Sequence, residues 1–534
     1  MQRCFSRPWE LISILEASAG DVGSVNYKAA RYVVSDGVPE ARQAATGEGI
    51  EGRELEWLDR RFMLYEMPGP AVDGDSARFE KIVLSEQDDR VVGVLNLLYP
   101  PKMQDGHEAC CDAMLNLAYF IRRDVLCADK VRPPVRCWGA VFKAMNDHSD
   151  DDPARQALIV DIALELPRYM DPIILHPKRA LQRVRDLERI QRVREIDKAC
   201  LIDMARRPGT GIAEKAGAKQ RILAVRRQET RNTLENRVVV HCCELVHRAA
   251  KRYLSDHEHV SDRKSKRKRA VNRVSRTAKD WRRSELLQGV KPLSVPCKQP
   301  NYVLLQNPHY SRVWNFYRQL VKNEEIRTKM WRWPRRLWSD VAAAALAGQV
   351  LEWIREQNFP LNIAVVEERV AGGLHEFSQG RFLCDDIMPG PYILGRSEQN
   401  FGTLYIVDTA GLQKLFPDEH RLELLNMDYC LVWVWPGGRR LLPVYCFFAD
   451  EDAPEATLLT EGTDAAKHLL KVSRDVAGVM LVRPAMGDGV VRHSLVPERT
   501  FGVWDLSVSL RPGELINRDV FSSLSPLSWL MGVN

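Results

Sequence analysis

The stretch Arg226–Leu254, RRQETRNTLENRVVVHCCELVHRAAKRYL, predicts one long amphipathic helix around which the rest of the chain is organised. Asn232 is a suitable N-cap, and Glu235, three residues later, would complete a capping box. Apolar residues recur every three or four positions along one face: Leu234, Val238, Cys242, Leu245, Ala249 and Tyr253. The other faces carry charges, so we expect this helix to be the centre of a helical domain that faces nucleic acid.

Length and composition limit the possible architectures. A chain of 534 residues is too long for one hydrophobic core, and about three domains are expected. Twelve cysteines without zinc-ligand spacing or a disulfide framework indicate a reducing compartment. The N-terminal stretch lacks the apolar core of a signal peptide, and no apolar run approaches the length of a membrane span. We therefore predict a cytoplasmic protein without membrane contact.

Positive charge is concentrated in one part of the chain. The segment His176–Arg283 holds 31 of the 77 Lys and Arg residues against 13 Asp and Glu, an excess of 18, although the whole chain has a net charge of only +6. Such an asymmetry favours a polyanionic partner. The alternative is a set of solvated helix faces.

The predicted fold class is α+β multidomain. Residues 1–157 are predicted to form a mixed α/β domain with a possible role in partner docking, and residues 158–355 a basic helical domain. From residue 356 to 534, short strands with an intervening helix predict a compact α/β domain. The clearest predicted N-terminal strands are Arg61–Tyr65, Lys81–Leu84 and Arg90–Leu98.

Two basic segments, 178–207 and 263–283, are candidates for contact with DNA phosphates. The first half of His176–Gly209 is predicted to be a charge-rich helix. The candidate DNA-binding residues are Lys178, Arg179, Arg183, Arg185, Lys264, Lys266, Arg267, Lys268, Arg269, Arg273, Arg276, Lys279, Arg282 and Arg283.

In the run Met330–Trp338, tryptophans alternate with arginines. These tryptophans belong either to a core or interface or to a nucleic-acid contact.

Two ordered motifs carry a resemblance to a known family. The segment Val193–Gly209 reads R-E-x-D-x-x-x-L…R-x-P-G, and the segment Glu229–Val239 contains T-x-E-N-R. Together with the later segment Pro300–Tyr317, they resemble the McrC-like family, which includes a large branch described as a domain of unknown function. The resemblance covers about residues 158–354 well. Within the motifs, these residues are interpreted as structural: Glu195, Asp197, Glu235, Asn236 and Arg237.

The resemblance implies a helical module followed by a PD-(D/E)XK nuclease fold. It also implies work with a separate McrB-like AAA+ NTPase in prokaryotic anti-phage restriction of DNA. The chain contains no G-x-x-x-x-G-K-[ST] sequence, so any nucleotide motor is expected to be a partner.

An active nuclease of this fold would need an Asp at one strand and D/E-x-K on the next, to hold Mg²⁺ and activate water. The candidate hairpin is Asn426–Asp450, with Asp428 at the first position and Val444-Tyr445-Cys446 in the D/E-x-K register. An apolar Val-Tyr-Cys cannot bind a hard cation. The favoured hypothesis is therefore a degenerate nuclease fold in a DNA-binding subunit, without a cofactor.

Two alternatives remain open. An active Mg²⁺-dependent endonuclease would use Asp428 with displaced carboxylates from Asp408, Glu367 and Glu368. A scaffold protein would instead use the basic face to bind an acidic partner protein.

Overall fold

The structure is a computed structural model that describes residues 2–5, 7–16, 27–28, 31–37, 39–43, 49–67, 78–85, 91–99, 110, 114, 136–137, 152–154, 156–258, 260–285, 287–331, 334–356, 361–363, 369–371, 392–397, 402–448, 455–485, 490–496, 501–510 and 526–531. The chain divides into two compact units. Unit 1 comprises Met1–Asp151 and Glu324–Asn534, and unit 2 comprises Asp152–Asn323. The N-terminal and C-terminal segments, predicted as separate domains, therefore share one unit.

The N-terminal segment of unit 1 forms two antiparallel-rich sheets among its described residues, with strand orders β1-β3-β7-β6 and β2-β9-β8-β4-β5. Strands β7, β8 and β9 confirm the three predicted N-terminal strands. The elements are β1 (Gln2–Phe5), a 3-10 helix (Pro8–Glu10), α1 (Leu11–Glu16), β2 (Tyr27–Lys28), β3 (Tyr32–Asp36), β4 (Glu40–Gln43), β5 (Gly49–Ile50), β6 (Gly52–Trp57), β7 (Arg60–Glu66), β8 (Arg78–Ser85), β9 (Val91–Tyr99) and β10 (Arg136–Cys137).

Unit 2 combines helices with one long two-stranded ribbon. Its elements are α2 (Leu158–Leu175), β11 (Ala180–Arg189), a 3-10 helix (Ile190–Arg192), α3 (Lys198–Arg206), α4 (Ile212–Lys215), β12 (Arg221–Thr230), α5 (Leu234–Asp256), α6 (Lys266–Arg283), α7 (Tyr302–Gln306) and the start of α8 (Pro308–Trp331). Helix α5 is the predicted central helix, and its buried face includes Val238, Cys242 and Leu245. Helix α6 packs against α5 and α2.

The ribbon β11–β12 corrects the prediction of a purely helical domain. Ala180–Arg189 and Arg221–Thr230 pair in antiparallel register over all ten positions. Ala180–Arg189 was predicted to be helical, and the end of the second strand, from Arg226 to Thr230, was predicted to be the start of the long central helix. Almost all of β11 is exposed, so its sequence lacks the alternation of apolar and polar residues that marks a half-buried strand. Pairing with the distant strand β12 decides its structure.

The N-cap of helix α5 lies one residue later than predicted. Thr233 is its N-cap and accepts a hydrogen bond from the Asn236 amide (3.4 Å), whereas Asn232 accepts from the backbone N–H of Lys291 (3.2 Å). Glu235 therefore completes no capping box with Asn232. Its carboxylate accepts a hydrogen bond from the side chain of Asn301 (2.9 Å), the residue that caps α7.

The fully buried carboxamide of Asn236 joins three parts of unit 2. Its Nδ2 donates to the carbonyl oxygens of Lys178 and Arg231, both at 2.7 Å. Its Oδ1 accepts from the hydroxyl of Tyr310 on α8 (2.7 Å), and that hydroxyl accepts from the backbone N–H of Lys178 (3.0 Å). The start of the ribbon, helix α5 and helix α8 are thus tied to one side chain.

The C-terminal segment of unit 1 forms an eight-stranded sheet with the order β13-β15-β16-β17-β18-β19-β21-β20. Strands β16 to β18 form an antiparallel meander, and α11 connects β18 to the parallel strand β19. The elements are α9 (Pro334–Glu356), β13 (Leu361–Ile363), β14 (Arg369–Ala371), β15 (Tyr392–Ser397), β16 (Thr403–Val407), α10 (Thr409–Leu415), a 3-10 helix (His420–Leu425), β17 (Tyr429–Trp435), β18 (Gly438–Cys446), α11 (Glu455–Val472), β19 (Gly478–Ala485), β20 (Val490–Val496), β21 (Phe501–Ser509) and α12 (Pro526–Met531).

Helix α9 lies buried against this sheet, and the small side chains Ala342–Ala345 are in its core. On the other side of the sheet, apolar residues of the N-terminal segment, including Trp9 and Phe62, share a core with Tyr445 and Leu441 of β18. The predicted hairpin β17–β18 is confirmed. Among the described residues, no helix has both the length and the apolar character needed to cross a lipid bilayer.

We expect Asn236→Ala to destabilise the protein by about 3 kcal/mol, because it removes three hydrogen bonds and leaves the buried hydroxyl of Tyr310 and the carbonyl oxygens of Lys178 and Arg231 without their partner. Gln182→Ala, at an exposed position of the ribbon, is the control and should change stability by less than about 0.5 kcal/mol. Urea unfolding of the full chain, followed by helical circular dichroism, measures both. Equal midpoints for the two variants would contradict the role of Asn236.

Candidate nucleic-acid interface and the Asp428 site

Helix α6 buries one face and exposes the other. Ser265 caps it by accepting a hydrogen bond from the Lys268 amide (2.9 Å). Its buried side chains include Val271, Val274 and Trp281, and the Trp281 indole N–H donates to Asp171 on α2 (3.0 Å). A helix with this packing has a fixed orientation, so the basic residues on its other face have defined positions.

Some of the predicted DNA-binding residues have partners within unit 2. On and around α6, Lys268 pairs with Asp262 (3.2 Å), Arg282 pairs with Glu244 on α5 (3.0 Å), and Arg267 donates to the carbonyl oxygen of Ala154 (2.9 Å). These three side chains are therefore partly used to hold α6 in place.

The predicted DNA-binding arginines of the ribbon meet carboxylates of the family motif. Arg183 forms an ion pair with Glu195, which also pairs with Arg227 (3.2 Å). Arg185 pairs with Asp197 (2.7 Å), the N-cap of α3. The hydrogen bond from Arg185 and that from Cys200 hold the pKa of Asp197 well below its usual range. Arg179 pairs with Glu229 (3.3 Å), and Lys178 is exposed.

A third group of predicted residues lies exposed on and next to α6 without an ion pair to any residue that the structure describes. Its members are Lys264, Lys266, Arg269, Arg273, Arg276, Lys279 and Arg283. Lys266, Arg269, Arg273, Arg276 and Arg283 follow at helical spacing along one side, which we call the cationic row. Asp280 is the one acidic residue at a position of this row. The row extends over about 25 Å, at about 1.5 Å per residue.

In unit 1, the carboxylate of Asp428 lies where strand β17 begins, as predicted, but it is bound by protein groups. Asp428 Oδ2 accepts hydrogen bonds from the Cys446 amide (2.8 Å) and from Arg335 Nη2 on α9 (3.0 Å). Arg335 also pairs with Glu66 (2.5 Å) and donates to the Cys446 carbonyl oxygen (3.0 Å). A guanidinium thus neutralises the carboxylate that would have to hold Mg²⁺.

The rest of the predicted metal site does not assemble among the described residues. Val444, Tyr445 and Cys446 are completely buried, and Asp408 caps α10 by accepting from the Gly411 amide (2.7 Å). Glu367 and Glu368 lie outside the described residues. Within the described part of the chain, no three His, Cys, Asp or Glu side chains are grouped to hold a metal ion. These donors do not fit Mg²⁺, a cation that requires several oxygen ligands.

Sequence reasoning missed Arg335 and Glu66 at this site. Arg335 stands in the aromatic and basic run Met330–Trp338, for which nucleic-acid contact was one interpretation. In the structure Trp338 is buried and donates to the Val482 carbonyl oxygen (3.1 Å), while Arg336 pairs with Glu66 (2.8 Å). The charges of Arg335 and Arg336 are therefore internal. No local pattern around Glu66 signals its role.

We expect Arg335→Met to destabilise unit 1 by about 3–5 kcal/mol at neutral pH, because Asp428 and Glu66 would lose a largely buried positive partner. Arg355→Met is the control: Arg355 is 56% exposed and pairs with Glu352 at the end of the same helix. An exposed pair contributes less than about 1 kcal/mol. Thermal unfolding of both variants tests this, and similar melting temperatures would show that the Arg335 contacts contribute little.

Part of the chain matches the model of a known protein family. The family described as "Domain of unknown function (DUF2357)" matches residues 140–317, which include all three motif segments and nearly coincide with unit 2. No curated protein matches the chain. Among solved structures, a half-complex from a tetradecameric assembly of Thermococcus gammatolerans McrB AAA+ hexamers with bound McrC matches at 10% identity. This match covers 90% of this chain and 84% of that chain, with a TM-score of 0.22.

Proposed function

We propose that this protein is a DNA-binding subunit of a prokaryotic anti-phage system of the McrBC-like restriction type, in which its nuclease-like fold is catalytically degenerate. The observation that carries the proposal is the cationic row of α6. Its side chains are exposed, and none has a carboxylate partner among the described residues. Cations without internal partners attract phosphates, and each phosphate contact releases condensed counterions from the DNA.

The composition of the row supports phosphate contact over base reading. Its side chains are one lysine and four arginines on a single helix, and the aromatic residue of α6, Trp281, is buried. Contacts to phosphates position a protein on DNA without selecting a sequence. We therefore propose binding to duplex DNA that depends strongly on salt and weakly on base sequence.

Two features support a degenerate nuclease fold. Strands β17 and β18 supply the adjacent antiparallel pair on which such a site would be built, with Asp428 directly before the first strand. At that position Arg335 supplies the positive charge that a metal ion would otherwise bring. These features support an ion pair with a structural role in place of a metal site.

An AAA+ NTPase as a partner is proposed from the sequence motifs. Val193–Gly209 and Glu229–Val239 resemble the McrC-like family, and the chain has no phosphate-binding loop sequence of its own. A gene for an AAA+ protein next to the gene for this chain, and co-purification of the two products, would support the pairing. Reproducible lack of any complex between the two would argue against it.

We expect Arg273→Gln/Arg276→Gln to weaken binding to a duplex of about 20 base pairs by about tenfold, at about 0.7 kcal/mol per contact. The slope of log K against log salt should become less steep by about 2. The matched control is Arg183→Gln/Arg185→Gln, whose arginines already have carboxylate partners. Fluorescence anisotropy at several salt concentrations measures both. If the wild type fails to bind even at low salt, the DNA proposal is wrong and a protein-binding scaffold becomes the better description.

We expect no nicking of supercoiled plasmid by the wild-type protein with Mg²⁺ or Mn²⁺, because Arg335 engages Asp428 and, among the described residues, no three His, Cys, Asp or Glu side chains are grouped to hold a metal ion. Asp428→Ala serves as the control. Cleavage by the wild type that is lost in Asp428→Ala would establish the alternative, an active Mg²⁺-dependent endonuclease. Equal cleavage by both would remove Asp428 from the active site.

A further inference from the structure

The groove between α5 and α6 contains a histidine among cations. His247 on α5 lies 3.0 Å from the Ser275 hydroxyl on α6, measured from its Nδ1. The contacts of His247 with Ser275 and of Glu244 with Arg282 show that the two helices run antiparallel. Lys251 on α5 and Lys279 on α6 therefore lie on opposite sides of His247, about one turn away in each direction, and both are exposed without an ion pair to a described residue. The groove is thus bordered by a lysine from each helix.

The groups around His247 leave the groove with an excess of positive charge. From α6 they are Ser275, Lys279 and Arg282, and from α5 they are Lys251 and Glu244. The single carboxylate of this set, Glu244, pairs with Arg282 (3.0 Å). Glu244 therefore does not compensate the positive charges of Lys251 and Lys279. An anion bound at His247 would lie between the two lysines and complement their charge.

The protonation state of His247 responds to this environment. Burial lowers the pKa of His247, and Lys279, Lys251 and Arg282 lower it further. This environment favours the neutral imidazole in the free protein. A phosphate between the two lysines would offset their charge and favour the protonated ring, which can then donate hydrogen bonds from both nitrogens.

We propose that a phosphate of bound DNA lies in the α5–α6 groove between Lys251 and Lys279, and that His247 takes up a proton when it binds. This inference rests on the proposed DNA-binding function and adds α5 to the interface. It also makes DNA affinity depend on pH. Because the bound state holds the extra proton, affinity rises as the pH falls through the range in which His247 titrates.

The test is the affinity for a duplex of about 20 base pairs between pH 8 and pH 5.5, measured by fluorescence anisotropy at constant ionic strength. The variants are His247→Asn and, as the matched control, His241→Asn; His241 is also partly buried on α5 but contacts Tyr317 on α8. We expect wild type and His241→Asn to gain several-fold more affinity over this range than His247→Asn, because a pKa difference of about one unit between free and bound protein gives at most about a tenfold gain.

The outcomes separate this inference from the proposed function. If all three proteins bind DNA with the same pH profile, the role of His247 is wrong and DNA binding stands. If the wild type binds no DNA at any pH, both fail.

A second variant provides an independent readout. Lys279→Gln should weaken DNA binding by several-fold and, at the same time, raise the pKa of His247 in the free protein, because a repelling charge is removed. A histidine titration followed by NMR measures the second effect. An unchanged affinity of Lys279→Gln would overturn the phosphate position.

Discussion

The hydrogen bonds of the Asn236 carboxamide are the constraint on which unit 2 depends. A buried amide is stable only when its donors and its acceptor are satisfied, and Asn236 finds its partners on the backbone before the ribbon, at the start of α5 and on α8. Those partners are far apart in sequence, so they come together only in one arrangement of the helices. Helix α6 packs on α5, and the direction of the cationic row follows from that arrangement.

Charge by itself does not identify the interface, since basic residues of the same type have different roles in this chain. Arg183 and Arg185 on the ribbon meet Glu195 and Asp197, while Arg273 and Arg276 on α6 point to solvent without a carboxylate partner among the described residues. A carboxylate partner cancels part of the electrostatic field of an arginine at short range. The basic segment is therefore divided into a part that stabilises unit 2 and a part that can neutralise phosphates.

In unit 1, a related balance of charge changes the chemistry of the Asp428 position. A single carboxylate surrounded by apolar side chains is costly to bury without a counter-charge. A metal ion bound by several carboxylates can supply this counter-charge, and so can a guanidinium. Here Arg335 bridges Asp428, Glu66 and the Cys446 carbonyl oxygen, so the site is held together by the protein alone.

Several features of the molecule were predictable from the sequence. The 3.6-residue periodicity of α5, the hairpin β17–β18 and the lack of an acid or lysine in Val444-Tyr445-Cys446 are properties of neighbouring residues, and local geometry expresses them directly. The ribbon, the partners of Arg183 and Arg185, and the Arg335 bridge were decided by tertiary structure. Asp428 lies 93 positions from Arg335, and Glu66 lies 269 positions from it. Ion pairs at such separations depend on how sheets and helices pack, and no pattern along the chain reports which charges will meet.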